Sequence, residues 1–139
     1  VLEVLLGHPG GPLWTNREEG AWTLPKGELG KDEKPLDAAL REFNEETSLH
    51  ARPPFLPLGS IIQKSGKQVL AWGCRGDADL SKLFSNDYTI QWPRHSGKYI
   101  TIPEIDRYGW FTIEEASLRM NPAQVPLLSV LVKKLSTSE

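Results

Sequence analysis

The sequence predicts an α+β sandwich folded as a single domain over residues 1–139. Three observations carry this. Runs of strand length outnumber helical stretches, the two kinds occur in mixed order, and no linker, internal repeat or low-complexity run divides the 139 residues. With 39% apolar and 24% charged residues the composition is that of a globular domain, which excludes disordered and collagenous classes. A chain of this size can bury a core without disulfide staples. No stretch of about 18 apolar residues is present, so no membrane span is expected. A net charge of −2 argues against a nucleic-acid partner held by phosphate neutralisation. The single cysteine, Cys74, reads as a core thiol and fits a reducing, cytoplasmic compartment.

Residues 1–8 read as a buried strand ended by the turn residues His8-Pro9-Gly10-Gly11-Pro12. A strand at Val1, with no leading methionine, suggests that the natural chain begins earlier and that a strand precedes residue 1. The edge so left would invite pairing, and both a monomer and a homodimer stay open. Ala21-Trp22-Thr23-Leu24 is a short strand-like piece before a second turn, Pro25 to Gly30. From Pro35 to about Leu49 the period is helical, with Leu36, Ala39, Leu40 and Phe43 at helical spacing and proline where the first turn accepts it. Strand-like runs follow at about 56–63, 68–75, 88–92 and 98–102, with Ser65-Gly66 turning between the first two. The polar segment 76–87 reads as a surface excursion. Thr112-Ile113-Glu114-Glu115 is a capping box opening a short helix. Asn121-Pro122 opens another helical piece, whose first turn Pro126 should disturb.

The stretch that carries chemistry is Gly27 to Leu49. On a wheel of 100° per residue, Glu42, Glu45 and Glu46 fall at about 0°, 300° and 40°, one narrow stripe. Leu36, Leu40 and Phe43 fall at about 120°, 160° and 100°, on a separate apolar face, while Ala38 keeps the acidic stripe free of bulk. Clustered carboxylates repel one another, so a helix that carries them leaves them solvated or neutralises them with a cation. A solvated face is the ordinary outcome. Here a Gly-rich loop supplies a further acid, Glu33, and Lys26 and Arg41 flank the acids, placed to hold phosphate oxygens or to orient carboxylates. Carboxylates with a backbone carbonyl are the donors that Mg2+ and Mn2+ prefer.

These residues resemble the Nudix box. Gly27, then Glu33 after five residues, then Arg41-Glu42-Phe43-Asn44-Glu45-Glu46 after seven more, then Leu49, match its fixed positions, with Ser48 in place of the final glycine. Trp22-Thr23-Leu24-Pro25-Lys26-Gly27 is similar to the entry of the box, and Pro103 to Phe111 to the family's late strand. The resemblance covers about residues 1–135. It implies the Nudix fold, a mixed β-sheet sandwich between α-helices (α/β/α) with the box as a loop–helix–loop metal motif. It also implies hydrolysis of nucleoside diphosphates linked to another group, with Mg2+ or Mn2+.

By position, the resemblance assigns the metal to Glu42, Glu45, Glu46 and the carbonyl of Gly27, and an orienting pair to Glu33 and Arg41. The expected reaction is in-line attack of a metal-activated water on one phosphorus of a nucleoside triphosphate or dinucleoside polyphosphate. Glu45, Glu46 and Glu104 are the candidate bases. Lys26 is placed for phosphate, and Trp22, Tyr88 and Trp92 are candidates to stack on a base. The alternative function is a non-catalytic module that senses a nucleotide on the same fold. At Ser48 a left-handed helix exit would cost about 1–2 kcal/mol, or the turn would rearrange.

Overall fold

The apolar run Val4-Leu5-Leu6 forms the centre of strand β1 (Glu3–Pro9), which pairs antiparallel with β6 (Ile105–Thr112) in a register running from Glu3 opposite Thr112 to His8 opposite Arg107. This computed structural model describes residues 2–24 and 32–137. Among the described residues two further antiparallel strand pairs form. β2 (Leu56–Ile62) turns into β3 (Gln68–Gly73) through Gly66, whose positive φ of 87° the tight reversal requires. β4 (Asp87–Gln91) pairs with β5 (Tyr99–Pro103) from Asp87 opposite Pro103 to Gln91 opposite Tyr99. Isolated bridges, Gly7 to Thr23 antiparallel and Trp22 to Met120 parallel, tie residues 22–23 to β1 and to the C-terminal part.

Among the described residues three α-helices cover these strands. α1 (Pro35–Thr47) packs on β3, α2 (Ile113–Arg119) on β1 and β6, and α3 (Pro126–Thr137) on β2. The capping box forms as the sequence predicts. The Thr112 hydroxyl accepts the Glu115 N–H at 3.2 Å, and the Glu115 carboxylate accepts the Thr112 N–H at 3.0 Å. Pro126 does interrupt the last helical piece: a 3-10 turn occupies Pro122–Gln124, and α3 starts at the proline itself. The strands, helices and excursion therefore fall where the sequence places them, and the chain is α+β.

The core lies between the β1–β6 pair and the C-terminal helices, built on Leu6, Trp22, Ala116, Met120 and Leu128. Burial of large side chains such as Leu6 and Met120 contributes about 1.5–3 kcal/mol each. Trp22, expected as a stacking platform, is instead 5% exposed. Its ring meets Phe111 edge-on at 4.9 Å and His8 at 5.2 Å, and its indole N–H donates to Glu18 at 3.0 Å. So deeply buried a ring has no open face for a base. Cys74, expected in the core, follows β3 and is exposed.

His8 is fully buried, with Nδ1 at 2.8 Å from the Asp106 carboxylate and Nε2 at 2.6 Å from the Arg17 carbonyl. Beside it Glu18 accepts from Arg107 at 2.7 Å and from Arg119 at 3.3 Å. The histidine and this glutamate tie the loop after β1 to β6 and α2.

α1 ends at Ser48 in the left-handed conformation (φ 66°, ψ 6°), and the Ser48 N–H closes on the Asn44 carbonyl at 2.7 Å. The helix exit that glycine would provide is thus kept by serine, under strain. Ser48→Gly relieves that strain and is expected to stabilise the fold by about 1 kcal/mol, raising the melting temperature by about 3 °C in a thermal scan. A second expectation concerns acid. Hydrogen bonds from Arg107 and then Trp22 hold the Glu18 carboxyl down at about 2. Its folded value lies below its unfolded one, so its contribution is full above the ordinary glutamate range and fades as pH falls towards the folded value. The melting-temperature gap between the native chain and Glu18→Gln should close between about pH 5 and pH 2.

Candidate active site

α1 begins with Pro35 in its first turn and carries Asp37 there, both favourable at a helix N-terminus. Its three buried residues are Ala38, Glu46 and Thr47, whereas Leu36, Leu40 and Phe43 are only half-buried. Ala38 and Glu46 lie on the acidic stripe and Thr47 lies with the apolar residues, so the stripe is partly covered by protein and is not a wholly wet face. The small side chain of Ala38, 6% exposed, lets neighbouring structure approach it. Glu46 is 7% exposed, and the side chains of Glu42 and Glu45 are 13% and 33% exposed.

Arg41 offsets this charge. Its guanidinium grips Glu33 in a two-pronged contact, Nε to Oε2 at 2.8 Å and Nη2 to Oε1 at 2.9 Å. The Nη1 group donates to Glu42 at 2.8 Å and to Glu45 at 3.2 Å. Hydrogen bonds donated to Glu33, then to Glu42 and Glu45, push the already high arginine pKa higher still.

Glu104 stands between β5 and β6, and its backbone is fixed at both ends. Its N–H donates to the Asn86 carbonyl at 2.9 Å, and its carbonyl accepts the Gly10 N–H at 3.0 Å. A side chain at Gly10 would put a Cβ 2.0 Å from the Pro103 carbonyl oxygen, so only glycine permits that approach. Burial raises the Glu104 carboxyl pKa, and the charges of Glu42 and Glu45 raise it further. Glu104 thus sits in the field of α1's acids.

Tyr88 belongs to the same neighbourhood. Burial raises its hydroxyl pKa first and the Glu104 charge second, and the ring is 40% exposed. Trp92 does not join it. It follows β4 at the opposite end of the β4–β5 hairpin, where its N–H bonds to the Lys98 carbonyl, roughly 13 Å along the strand from Tyr88. Lys26 and Gly27 lie outside the described residues. An open cleft of about 600 Å³ runs between the excursion and β6, lined by Leu83, Phe84, Asp106 and Tyr108 among others. Neither Glu104 nor the α1 glutamates line it, so this cleft and the acidic array are different places.

Among the described residues no three His, Cys, Asp or Glu side chains gather tightly enough to enclose a metal ion. The donor chemistry nevertheless fits a hard divalent cation. Glu42 and Glu45 both reach the same positively charged group, Arg41 Nη1, so one cationic centre already lies within range of two carboxylates.

Sequence reasoning missed Gly10, Ser85, Asn86 and Tyr108. The first carried a signal, two adjacent glycines where one would make the turn. The others act on backbone groups far away in the chain and carried none.

Comparison with known proteins gives a consistent picture. The model of the NUDIX domain family matches residues 3–131. An RNA pyrophosphohydrolase of Pseudomonas putida is 43% identical over 118 residues, covering 77% of this chain and 71% of the relative. One from Pseudomonas fluorescens is 29% identical over the same span and shares. Among solved structures, a Caenorhabditis elegans Ap4A hydrolase in a binary complex superposes with a TM-score of 0.67 at 20% identity, covering 97% of this chain and 88% of that one. The Escherichia coli ORF135 protein superposes at 0.64 and 22% identity, covering 97% and 83%. With the family pattern matched along almost its whole length and the same fold in these neighbours, the chain belongs to the NUDIX domain family.

Proposed function

We propose that the acidic array of α1, with Glu104, hydrolyses a diphosphate linkage in a nucleotide such as a nucleoside triphosphate or dinucleoside polyphosphate. Family membership makes the chain a Nudix pyrophosphohydrolase. The observation that carries the finer reading is the partly buried stripe, with Glu42 and Glu45 converging on one cationic group and Glu104 in their field.

Glu42, Glu45 and Glu46, with the carbonyl of Gly27, would hold Mg2+ or Mn2+. When bound there, a divalent ion lets a polyphosphate approach carboxylates that would otherwise repel it and stabilises charge developing at phosphorus. Arg41 keeps Glu33, Glu42 and Glu45 in register. Glu104 takes the proton of the attacking water as the new oxygen–phosphorus bond forms and the bridging bond breaks, with the bridging oxygen leaving on the departing phosphate. The rise in its pKa from burial suits that task, because a stronger base accepts the proton more readily near neutral pH. The half-exposed ring of Tyr88 offers a face to the base, and Lys26 a charge to phosphate oxygens.

A second reading has support of its own. The Pseudomonas relatives are RNA pyrophosphohydrolases, which favours a diphosphate linkage carried on RNA over one in a free nucleotide. A panel of nucleoside triphosphate, dinucleoside tetraphosphate and triphosphorylated RNA, assayed for phosphate and nucleotide release with Mg2+ and again with chelator, separates the two. Tight nucleotide binding with no release on any substrate would instead favour the sensing module.

Glu45, Glu46 and Glu104 are each to be changed to Gln and turnover measured at saturating Mg2+. Glu104→Gln should lower kcat about 100-fold or more. Full rate in that variant would move the base to Glu45 or Glu46.

A further inference from the structure

A helix leaves its last four carbonyls without partners of its own, and at the end of α1 each is accounted for. The Asn44 carbonyl takes the Ser48 N–H at 2.7 Å, and the Thr47 carbonyl takes the Ser48 hydroxyl. The other two belong to Glu45 and Glu46, two of the candidate chemical groups, and both are served from outside the helix. The Asn86 N–H donates to the Glu45 carbonyl at 2.9 Å, and the Tyr108 hydroxyl donates to the Glu46 carbonyl at 2.5 Å.

The same few residues hold Glu104. Its N–H donates to the Asn86 carbonyl, and the next N–H, of Ile105, donates to the Ser85 hydroxyl oxygen at 3.0 Å. Three elements that never meet in sequence, the end of α1, the segment before β4 and the start of β6, are therefore stitched together at the backbones of three glutamates.

We propose that Tyr108, which reaches from β6 to the Glu46 carbonyl, is a positioning residue that sets the separation between the glutamates of α1 and Glu104. The proposal rests on the reading in which these acids hydrolyse a diphosphate linkage. A ring that merely filled space would be replaced by phenylalanine with little consequence for chemistry. A hydroxyl that fixes the helix end matters most when the acids on both sides are acting together.

The test is a double-mutant cycle on the full chain. Tyr108→Phe and Ser85→Ala are each measured with Glu104 intact and as Glu104→Gln, following kcat and KM for nucleoside triphosphate and dinucleoside tetraphosphate at saturating Mg2+, beside the melting temperature. Tyr108→Phe should lower kcat about ten-fold with KM changed less than about two-fold. In the Glu104→Gln background the same change should cost less than about two-fold, because the group being positioned is already gone. An unchanged kcat, or an equal loss in both backgrounds, overturns the proposal. If Tyr108→Phe fails to fold, Ser85→Ala is judged by the same criteria. Absence of turnover in the unmodified chain would instead remove the reading beneath it, a result the cycle keeps distinct.

Discussion

The sharing of one guanidinium among Glu33, Glu42 and Glu45 is the constraint on which the rest of the site depends. Carboxylates on adjacent turns of a helix repel, and the repulsion grows as water is excluded. Partly covering that face with protein is tenable because Arg41 stands among the acids and its planar fork can serve several oxygens at once. Its contacts run in two directions, back to the residue before the helix and forward along the next turn. The arginine therefore fixes the approach to α1 and the direction of its acids together.

Rigidity comes from elsewhere. Side chains in this array are tied mostly to one another, while their backbones are tied to the sheet. Glu104 sits at the junction of β5 and β6, and β6 is anchored along its length to β1, whose Leu6 is part of the core. His8 and Glu18 extend that anchorage into the loop after β1. The hydrophobic core and the chemistry thus share a strand, and the acids inherit its order.

Much of this was legible in the sequence. Residue spacing alone located α1, the capping box, the hairpins and the break at Pro126, because each follows from local backbone rules. It also placed Glu42, Glu45 and Glu46 on one stripe, while the pairing of Glu33 with Arg41, a contact the structure makes, came from the family resemblance. The direction of that stripe was not legible. Periodicity separates two faces but does not say which one meets protein, and Leu36, Leu40 and Phe43 proved less buried than Glu46. Trp22 misled for a related reason. An aromatic side chain suits a core and a base equally well, and only the positions of Phe111 and His8 decide between them. Ser85, Asn86 and Tyr108 lay beyond reach because they act on main-chain groups brought close by tertiary folding.

Gly10 shows how far the demands of the acids extend. Any larger residue there would collide with the Pro103 carbonyl and press on the peptide that carries Glu104. A saturation library scored for activity would register this position as intolerant, although it bears no functional group. Mutational sensitivity in this protein is therefore a map of backbone clearances as much as of reacting atoms, and a variant lost at residue 10 is no sign of a ligand nearby.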